Sequence, residues 1–128
     1  MYNPTIFFGG YACEVQLDYY PNGNKSIKLM DTRDGSPVAT ATVNLDGVEL
    51  SANEVMVKDY SGNKGMLAAL RDSKVVENIV DVMQSGYVDI PVVTLSKSMM
   101  ERFKNEKHDR FMTDMNDQYD GLENDNEV

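Results

Sequence analysis

The chain has little of the chemistry on which enzymes and metal sites most often depend. Its 128 residues contain one cysteine, Cys13, one histidine, His108, and no tryptophan. A single cysteine cannot close an internal disulfide or build a multi-cysteine zinc site. A single histidine removes most histidine-based metal and triad chemistry. The composition therefore predicts a protein that is not an enzyme, with no metal site and no cofactor.

Long apolar runs are also absent. No segment approaches the ~18 consecutive apolar residues that a membrane-spanning helix needs. The first five residues lack a basic region followed by an apolar stretch, so they do not resemble a secretory signal. We therefore expect no membrane contact and a location in the cytoplasm. A chain of 128 residues is long enough for one domain with a hydrophobic core.

Basic residues are scarce. The chain has 21 acidic and 12 basic residues, for a net charge of −9. Residues 109–128 hold seven acidic residues and one arginine, so this segment alone contributes −6. Because nucleic-acid affinity comes mainly from neutralising phosphates, we expect no direct nucleic-acid binding. The segment is either a solvated terminus or a decoy surface for a nucleic-acid-binding partner.

Alternating residues and turn signals predict an antiparallel meander in the first sixty residues. The alternation is clearest in residues 11–20, and Asn22-Gly23 then supplies the turn that a tight hairpin needs. The third and fourth strands are bounded by turn signals at residues 33–37 and 46–47. The four predicted strands are residues 11–20, 25–31, 38–45 and 54–59.

The periodicity changes after residue 60. Residues 64–71 predict a short helix, with Ser61 or Asn63 as its N-terminal cap. Residues 75–83 fit either a continuing helix or a strand, and we choose a strand because residues 87–95 are extended and would pair with it. Pro91 predicts that this last strand lies at an edge or is bulged there.

The C-terminal part of the chain predicts a helix and a tail. Ser98 and Glu101 have the spacing of a capping box. The predicted fold is α+β, an antiparallel β-meander with one short helix after the fourth strand and a C-terminal helix. We divide it into a β-rich domain at 1–95, the helix at 96–121 and a disordered acidic tail at 122–128.

Three segments occur in an order that is similar to one protein family. They read VATATVNL at 38–45, VKDYSGNKGML at 57–67 and SGYV at 85–88. The series resembles an uncharacterised family of small proteins of bacteriophages, conjugative elements and bacterial genomes, over residues 10–95. The resemblance implies a mobile-DNA habitat, in which accessory proteins often bind a host defence protein or a signalling nucleotide. It provides no site residues and does not extend beyond residue 95.

One weak anion site and one set of aromatic residues are candidates for ligand binding. Asn63, Lys64 and Gly65, at the predicted helix start, offer backbone N–H groups and one cation to an anion. They lack the glycine spacing of nucleotide-binding loops. Several aromatic residues have the chemistry to stack on bases, but without basic neighbours we favour core packing for them. They are Phe7, Phe8, Tyr11, Tyr19, Tyr20 and Tyr87.

The C-terminal helix and tail supply the candidate partner-binding residues. Methionine is flexible and serves both cores and adaptable binding surfaces. We expect this helix to dock on the sheet. A helix that does not fold back would instead seek a groove in a host protein or form a homodimer seam. The candidate residues are Met112, Asp114, Met115, Asp117, Tyr119 and Asp120.

The sequence favours structural roles for the remaining reactive side chains. Cys13 lies on the apolar face of a predicted strand, where a free cysteine behaves as a small hydrophobic residue. His108 lies among charged neighbours on a solvated helix face. The acidic residues at strand ends are expected to accept hydrogen bonds in Asx-turns. These residues are Asp31, Asp34, Asp46 and Asp59.

Two functions from different classes remain. The first is a non-enzymatic binding protein of a phage or mobile element that inhibits a host defence protein, such as a nuclease, by protein–protein contact. The alternative is a protein that sequesters a small molecule or nucleotide at residues 63–65. An enzyme ranks third because no triad, dyad or metal cluster is present in the sequence.

Overall fold

The structure, a computed structural model, describes residues 3–106, which form two antiparallel sheets and two helices. The first sheet contains, in spatial order, β1 (Ile6–Phe8), β2 (Tyr11–Tyr19), β3 (Lys25–Asp31) and β4 (Pro37–Thr40). The second sheet contains β5 (Glu54–Met56), β6 (Val76–Ser85) and β7 (Val88–Leu95), with β7 in the centre. A 3₁₀ turn (Ser61–Asn63) and α1 (Met66–Asp72) follow β5, and α2 (97–106) follows β7. The α+β prediction, with its meander and two helices, is confirmed.

The meander contains a different set of strands from the predicted set. One of its four strands is β1, which was not predicted from the sequence. The predicted strand at 54–59 corresponds to β5, which belongs to the second sheet instead. The predicted strand at 38–45 ends at Thr40 because the chain crosses there between the sheets. Thr42 then forms an isolated antiparallel bridge with Val57.

The β2–β3 hairpin agrees with the prediction. Seven residue pairs join the two strands, from Cys13 opposite Asp31 to Tyr19 opposite Lys25. Gly23 has φ +92°, and its N–H donates to the Tyr20 carbonyl at 2.8 Å. A left-handed backbone at this position favours glycine, so the Asn-Gly signal correctly marks the turn.

The β6–β7 hairpin confirms the choice of a strand over a helix for residues 75–83. The prediction that Pro91 lies in an edge strand or in a bulge is wrong. Strand β7 is the central strand, and the shifts in its register with β6 lie between β6 residues 76 and 81, which do not pair with Pro91. Proline is tolerated there because β5 pairs with β7 only at residues 92–94. Past the end of β5, the Val57 N–H donates to the Pro91 carbonyl at 3.0 Å.

The core has two parts, one on each face of the second sheet. The larger part joins both sheets and both helices, and it includes Met99 and Phe103 of α2. The smaller part contains Met56, Ile90 and Val92, covered by partly buried residues of the 43–50 segment. The second sheet is therefore buried on both faces at β7, and only β6 extends away from the core.

The start of α2 differs from the predicted capping box. Ser96 Oγ accepts a hydrogen bond from the Met99 N–H at 3.2 Å, so Ser96 rather than Ser98 is the cap. Ser96 is buried and follows β7 directly, and its N–H donates to the Val75 carbonyl at 3.0 Å. This hydrogen bond to Val75 holds Ser96 in place, so the helix cap lies two residues before the predicted one, Ser98.

Several expectations fall on residues outside the described range. They are the helix from residue 107 onward, its end at Gly121 and the disordered tail at 122–128. Neither helix described within residues 3–106 is long and apolar enough to cross a membrane.

Candidate functional site

The start of α1 is capped by a side chain from upstream in the chain. The Leu67 N–H donates to Asp59 Oδ1 at 2.9 Å, and the cap residue Gly65 has φ +93°. The expectation that Ser61 or Asn63 caps this helix is wrong. Ser61 and Asn63 belong to the 3₁₀ turn that precedes the helix, and the Asp59 carboxylate accepts from the free helix N–H instead.

The predicted anion site, Asn63, Lys64 and Gly65, lies at this helix start. The Asn63 side chain is buried, and its amide donates to the Thr40 carbonyl at 2.7 Å. Lys64 is exposed to solvent. The Asp59 carboxylate already accepts from a helix N–H at this position. Anion binding here stays a prediction, and the backbone N–H groups of Asn63 and Lys64 already donate to the carbonyls of Tyr60 and Ser61.

Cys13 lies in the core under the first sheet. Its side chain is 0% exposed. Burial raises the pKa of the Cys13 thiol, and the nearby Asp31 carboxylate raises this pKa further. A nucleophilic cysteine needs the opposite change, a lowered pKa and access to substrate. Cys13 is therefore a buried structural thiol, as its place on the apolar face predicts.

Asp31 and Asp34 form the turns expected of acidic residues at strand ends. Asp31 accepts hydrogen bonds from the Arg33 backbone at 2.9 Å and from the Arg33 guanidinium at 2.8 Å. Asp34 accepts from the Ser36 N–H at 3.0 Å. The hydrogen bonds from Arg33 lower the pKa of Asp31, and those from Ser36 lower the pKa of Asp34. A carboxylate stabilised as an anion in this way is a poor general base.

We expect a thiol reagent to label Cys13 slowly in the native protein and rapidly after denaturation. The reagent reaches a fully buried sulfur only when the chain opens. Cys13→Ala should leave partner binding unchanged. Rapid labelling of the folded protein would contradict burial, and loss of binding by a folded Cys13→Ala variant would make the thiol functional.

Other predicted sites lie partly or wholly outside the described residues. Among residues 3–106, no three His, Cys, Asp or Glu side chains are grouped so that they could hold a metal ion. His108 and the six predicted partner-binding residues lie beyond the described part of the chain. Those residues are Met112, Asp114, Met115, Asp117, Tyr119 and Asp120.

An exposed apolar strand is the first feature that the sequence did not reveal. Strand β6 lies at the edge of the second sheet, and eight of its ten residues are exposed. Ile79, Val80 and Val82 are 48%, 50% and 51% exposed, and Tyr87 in the following turn is fully exposed. We call these four residues the β6 edge. Isolated exposed apolar residues are common on proteins, but a group of them along one edge strand favours pairing with another chain.

A cavity between the β2–β3 turn and α2 is the second such feature. Its volume is about 830 Å³, and we call it the hairpin–helix cavity. Residues of the β2–β3 turn, the 50–52 segment and α2 line it. The lining includes Tyr20, Pro21, Lys25, Lys97, Glu101 and Lys104.

Asn24 holds the turn and the 48–50 segment of this cavity together. Its side chain is 7% exposed. The amide nitrogen donates to Asn44 Oδ1 at 2.9 Å and to the Val48 carbonyl at 2.8 Å. The amide oxygen accepts from the Leu50 N–H at 3.1 Å. One buried side chain therefore joins the β2–β3 turn to three residues of the 43–50 segment.

Comparisons of the chain with protein-family models, curated proteins and solved structures give no match. The family resemblance over residues 10–95 stays a prediction based on three short segments. The functional proposals below therefore depend on the β6 edge and the hairpin–helix cavity.

Proposed function

We propose that this protein is a non-enzymatic binding protein that contacts a partner protein through the β6 edge. The observation that supports this proposal is the exposure of β6, of which only Val76 is buried. A ten-residue edge strand with three half-exposed β-branched side chains is a ready template for another strand. Domains that bind peptides by strand addition use such an edge, with backbone hydrogen bonds for affinity and side chains for specificity.

The regular part of β6 is the better half for backbone pairing, whereas Ile79 and Val80 lie in the irregular part and would contribute side-chain contacts. Register shifts interrupt β6 between Val76 and Asp81, whereas the pairing with β7 is regular from Asp81 to Ser85. Bulges of this kind discourage indiscriminate edge pairing. Glu77 and Asp81 are exposed on the same strand, so the edge repels an acidic partner strand and favours a basic one.

The resemblance to phage and mobile-element proteins supports a partner in the cytoplasm of a bacterial host. In this proposal the partner is a host defence protein, such as a nuclease, which the contact inhibits. The acidic residues of 109–128 would add long-range attraction to a basic, nucleic-acid-binding partner, since complementary charge raises association rates. The homodimer through the C-terminal helix is the competing arrangement.

We expect the double variant Val80→Lys/Val82→Lys to bind its partner about tenfold more weakly or worse, because two ammonium groups replace apolar contacts at the edge. The partner is captured from a lysate of the bacterial host, purified, and titrated by calorimetry. Both positions are half exposed, so the thermal unfolding midpoint should change little.

The matched control is Phe7→Lys/Tyr11→Lys. These residues are also exposed and apolar, lie on the first sheet, and give the same change in net charge. The control should bind like the unchanged protein. The proposal would be contradicted if the two variants bound the partner equally well or lost the same affinity. It would also be contradicted if the full-length protein captured no partner.

A further inference from the structure

We propose that the hairpin–helix cavity binds a small organic anion in which a flat ring is joined to a phosphate, as in a mononucleotide. This site differs from the predicted anion site at residues 63–65 and from the β6 edge. The cavity volume of about 830 Å³ lies within the range of about 300–1,000 Å³ that is usual for small-molecule sites.

The charge of the cavity is opposite in sign to that of the whole chain. Lys25, Lys97 and Lys104 line it together with a single carboxylate, Glu101. Within residues 3–106, neither Lys97 nor Lys104 forms an ion pair. A cleft with an excess of positive charge attracts an anion even when the protein carries −9 overall. Phosphate is the anion that clustered ammonium groups bind well.

The positions of these lysines follow from the packing of α2. Lys97, Glu101 and Lys104 are spaced at i, i+4 and i+7, so they share one face of the helix. Met99 and Phe103 on another face are fully buried in the core. Burial of these two side chains holds the charged face toward the β2–β3 turn, where it forms one wall of the cavity.

Another part of the lining provides an apolar surface for a ring. Tyr20 and Pro21 line it, and the Tyr20 hydroxyl lies 3.1 Å from Thr42 Oγ1. This hydrogen bond restrains the Tyr20 ring. A restrained tyrosine beside a proline offers a flat ring a stacking partner, and stacking on aromatic side chains accepts any base.

One of the three ammonium groups, that of Lys25, is held in place. Lys25 Nζ lies 5.5 Å from the ring centroids of both Tyr19 and Phe103. These two rings are themselves in edge contact, with centroids 5.8 Å apart. Cation–π contacts of this kind fix the ammonium before any ligand arrives. A cavity in which Lys25 and the Tyr20 ring are already held loses less entropy when it binds a ligand.

The test is calorimetric titration of the full-length protein with adenosine monophosphate, adenosine and inorganic phosphate. We expect the nucleotide to bind at least about tenfold more tightly than either fragment, since only the nucleotide uses both the ring wall and the lysines. In NMR spectra, its addition should shift the signals of Tyr20 and Lys104. No binding of the nucleotide, or equal binding of inorganic phosphate, would overturn the proposal.

Charge variants locate the site. Lys97→Gln/Lys104→Gln should weaken nucleotide binding about tenfold or more. The matched control, Lys28→Gln/Lys64→Gln, removes the same charge outside the cavity and should bind normally. Loss of binding in the control would move the site to the start of α1 and overturn the proposal. Val80→Lys/Val82→Lys should leave nucleotide affinity unchanged, which separates this site from the β6 edge.

Discussion

Replacement of Phe103 with alanine should lower the free energy of unfolding by about 3–5 kcal/mol, the usual cost of deleting a buried phenyl ring. Phe103 is 1% exposed and contacts Tyr19 edge to face. Its removal leaves a cavity where α2 meets the first sheet. Urea denaturation monitored by circular dichroism measures the change.

Met100→Ala is the control on the same helix. Met100 is only partly buried beside the core, so its truncation should cost less than half as much. A loss of under about 1 kcal/mol for Phe103→Ala would mean that α2 contributes little to the core. The helix would then be free to serve as a groove-seeking element, which was the other expectation for this segment.

Docking of α2 also decides which of its residues remain available to a partner or ligand. Met99 and Phe103 are committed to the core, whereas Lys97, Glu101 and Lys104 remain exposed beside the cavity. The helix is therefore both a structural element and one wall of a site. Phe103→Ala should consequently weaken nucleotide binding as well as stability.

The β2–β3 hairpin could be predicted from the sequence because the residues that specify it are neighbours in the chain. Alternation over residues 11–19 and a glycine with positive φ at Gly23 are independent of the rest of the chain. The sheet to which a strand belongs depends on distant partners, so β5 could not be assigned to the second sheet. β1, at three residues, is too short to show a period of two.

The candidate sites were harder to predict because their parts lie far apart in sequence. The aromatic residues were assigned to the core because no basic residues adjoin them in the sequence, and this prediction is wrong for the exposed Phe7, Tyr11 and Tyr87. In the fold, Lys97 and Lys104 approach from α2, about eighty residues later, and line the same cavity as Tyr20. No spacing rule relates these positions, since the contact depends on how α2 packs.

The exposure of the β6 edge could not be predicted from the sequence for a different reason. The apolar residues of 75–83 predicted a strand correctly, but apolar strands are usually buried. Sequence periodicity does not tell an edge strand from a central one, and here the proline-containing strand is the central one. Exposure of Ile79 and Val82 is therefore visible only once the order of the strands is known.

Asn24→Ala should lower the free energy of unfolding by about 2 kcal/mol, because the Val48 carbonyl and the Leu50 N–H lose their partner in a largely buried setting. These hydrogen bonds are 2.8 and 3.1 Å long in the structure. Since the same bonds hold one wall of the hairpin–helix cavity, the variant should also bind adenosine monophosphate more weakly. Urea denaturation and calorimetry on one preparation measure both effects.

Asn22→Ala provides the control in the same turn. The exposed Asn22 side chain donates to the Val48 carbonyl at 3.3 Å and accepts from the Asn24 N–H at 3.1 Å and from the Asn44 amide at 3.3 Å. Its cost should stay below about 1 kcal/mol, because water can replace the bonds of an exposed side chain but not those of the buried Asn24 amide. Equal destabilisation by the two variants would show that the turn itself, rather than the buried amide, holds the wall. If Asn24→Ala lost stability but kept full nucleotide affinity, the ligand would not depend on the wall that Asn24 holds. The lysines of α2 would then be sufficient for binding.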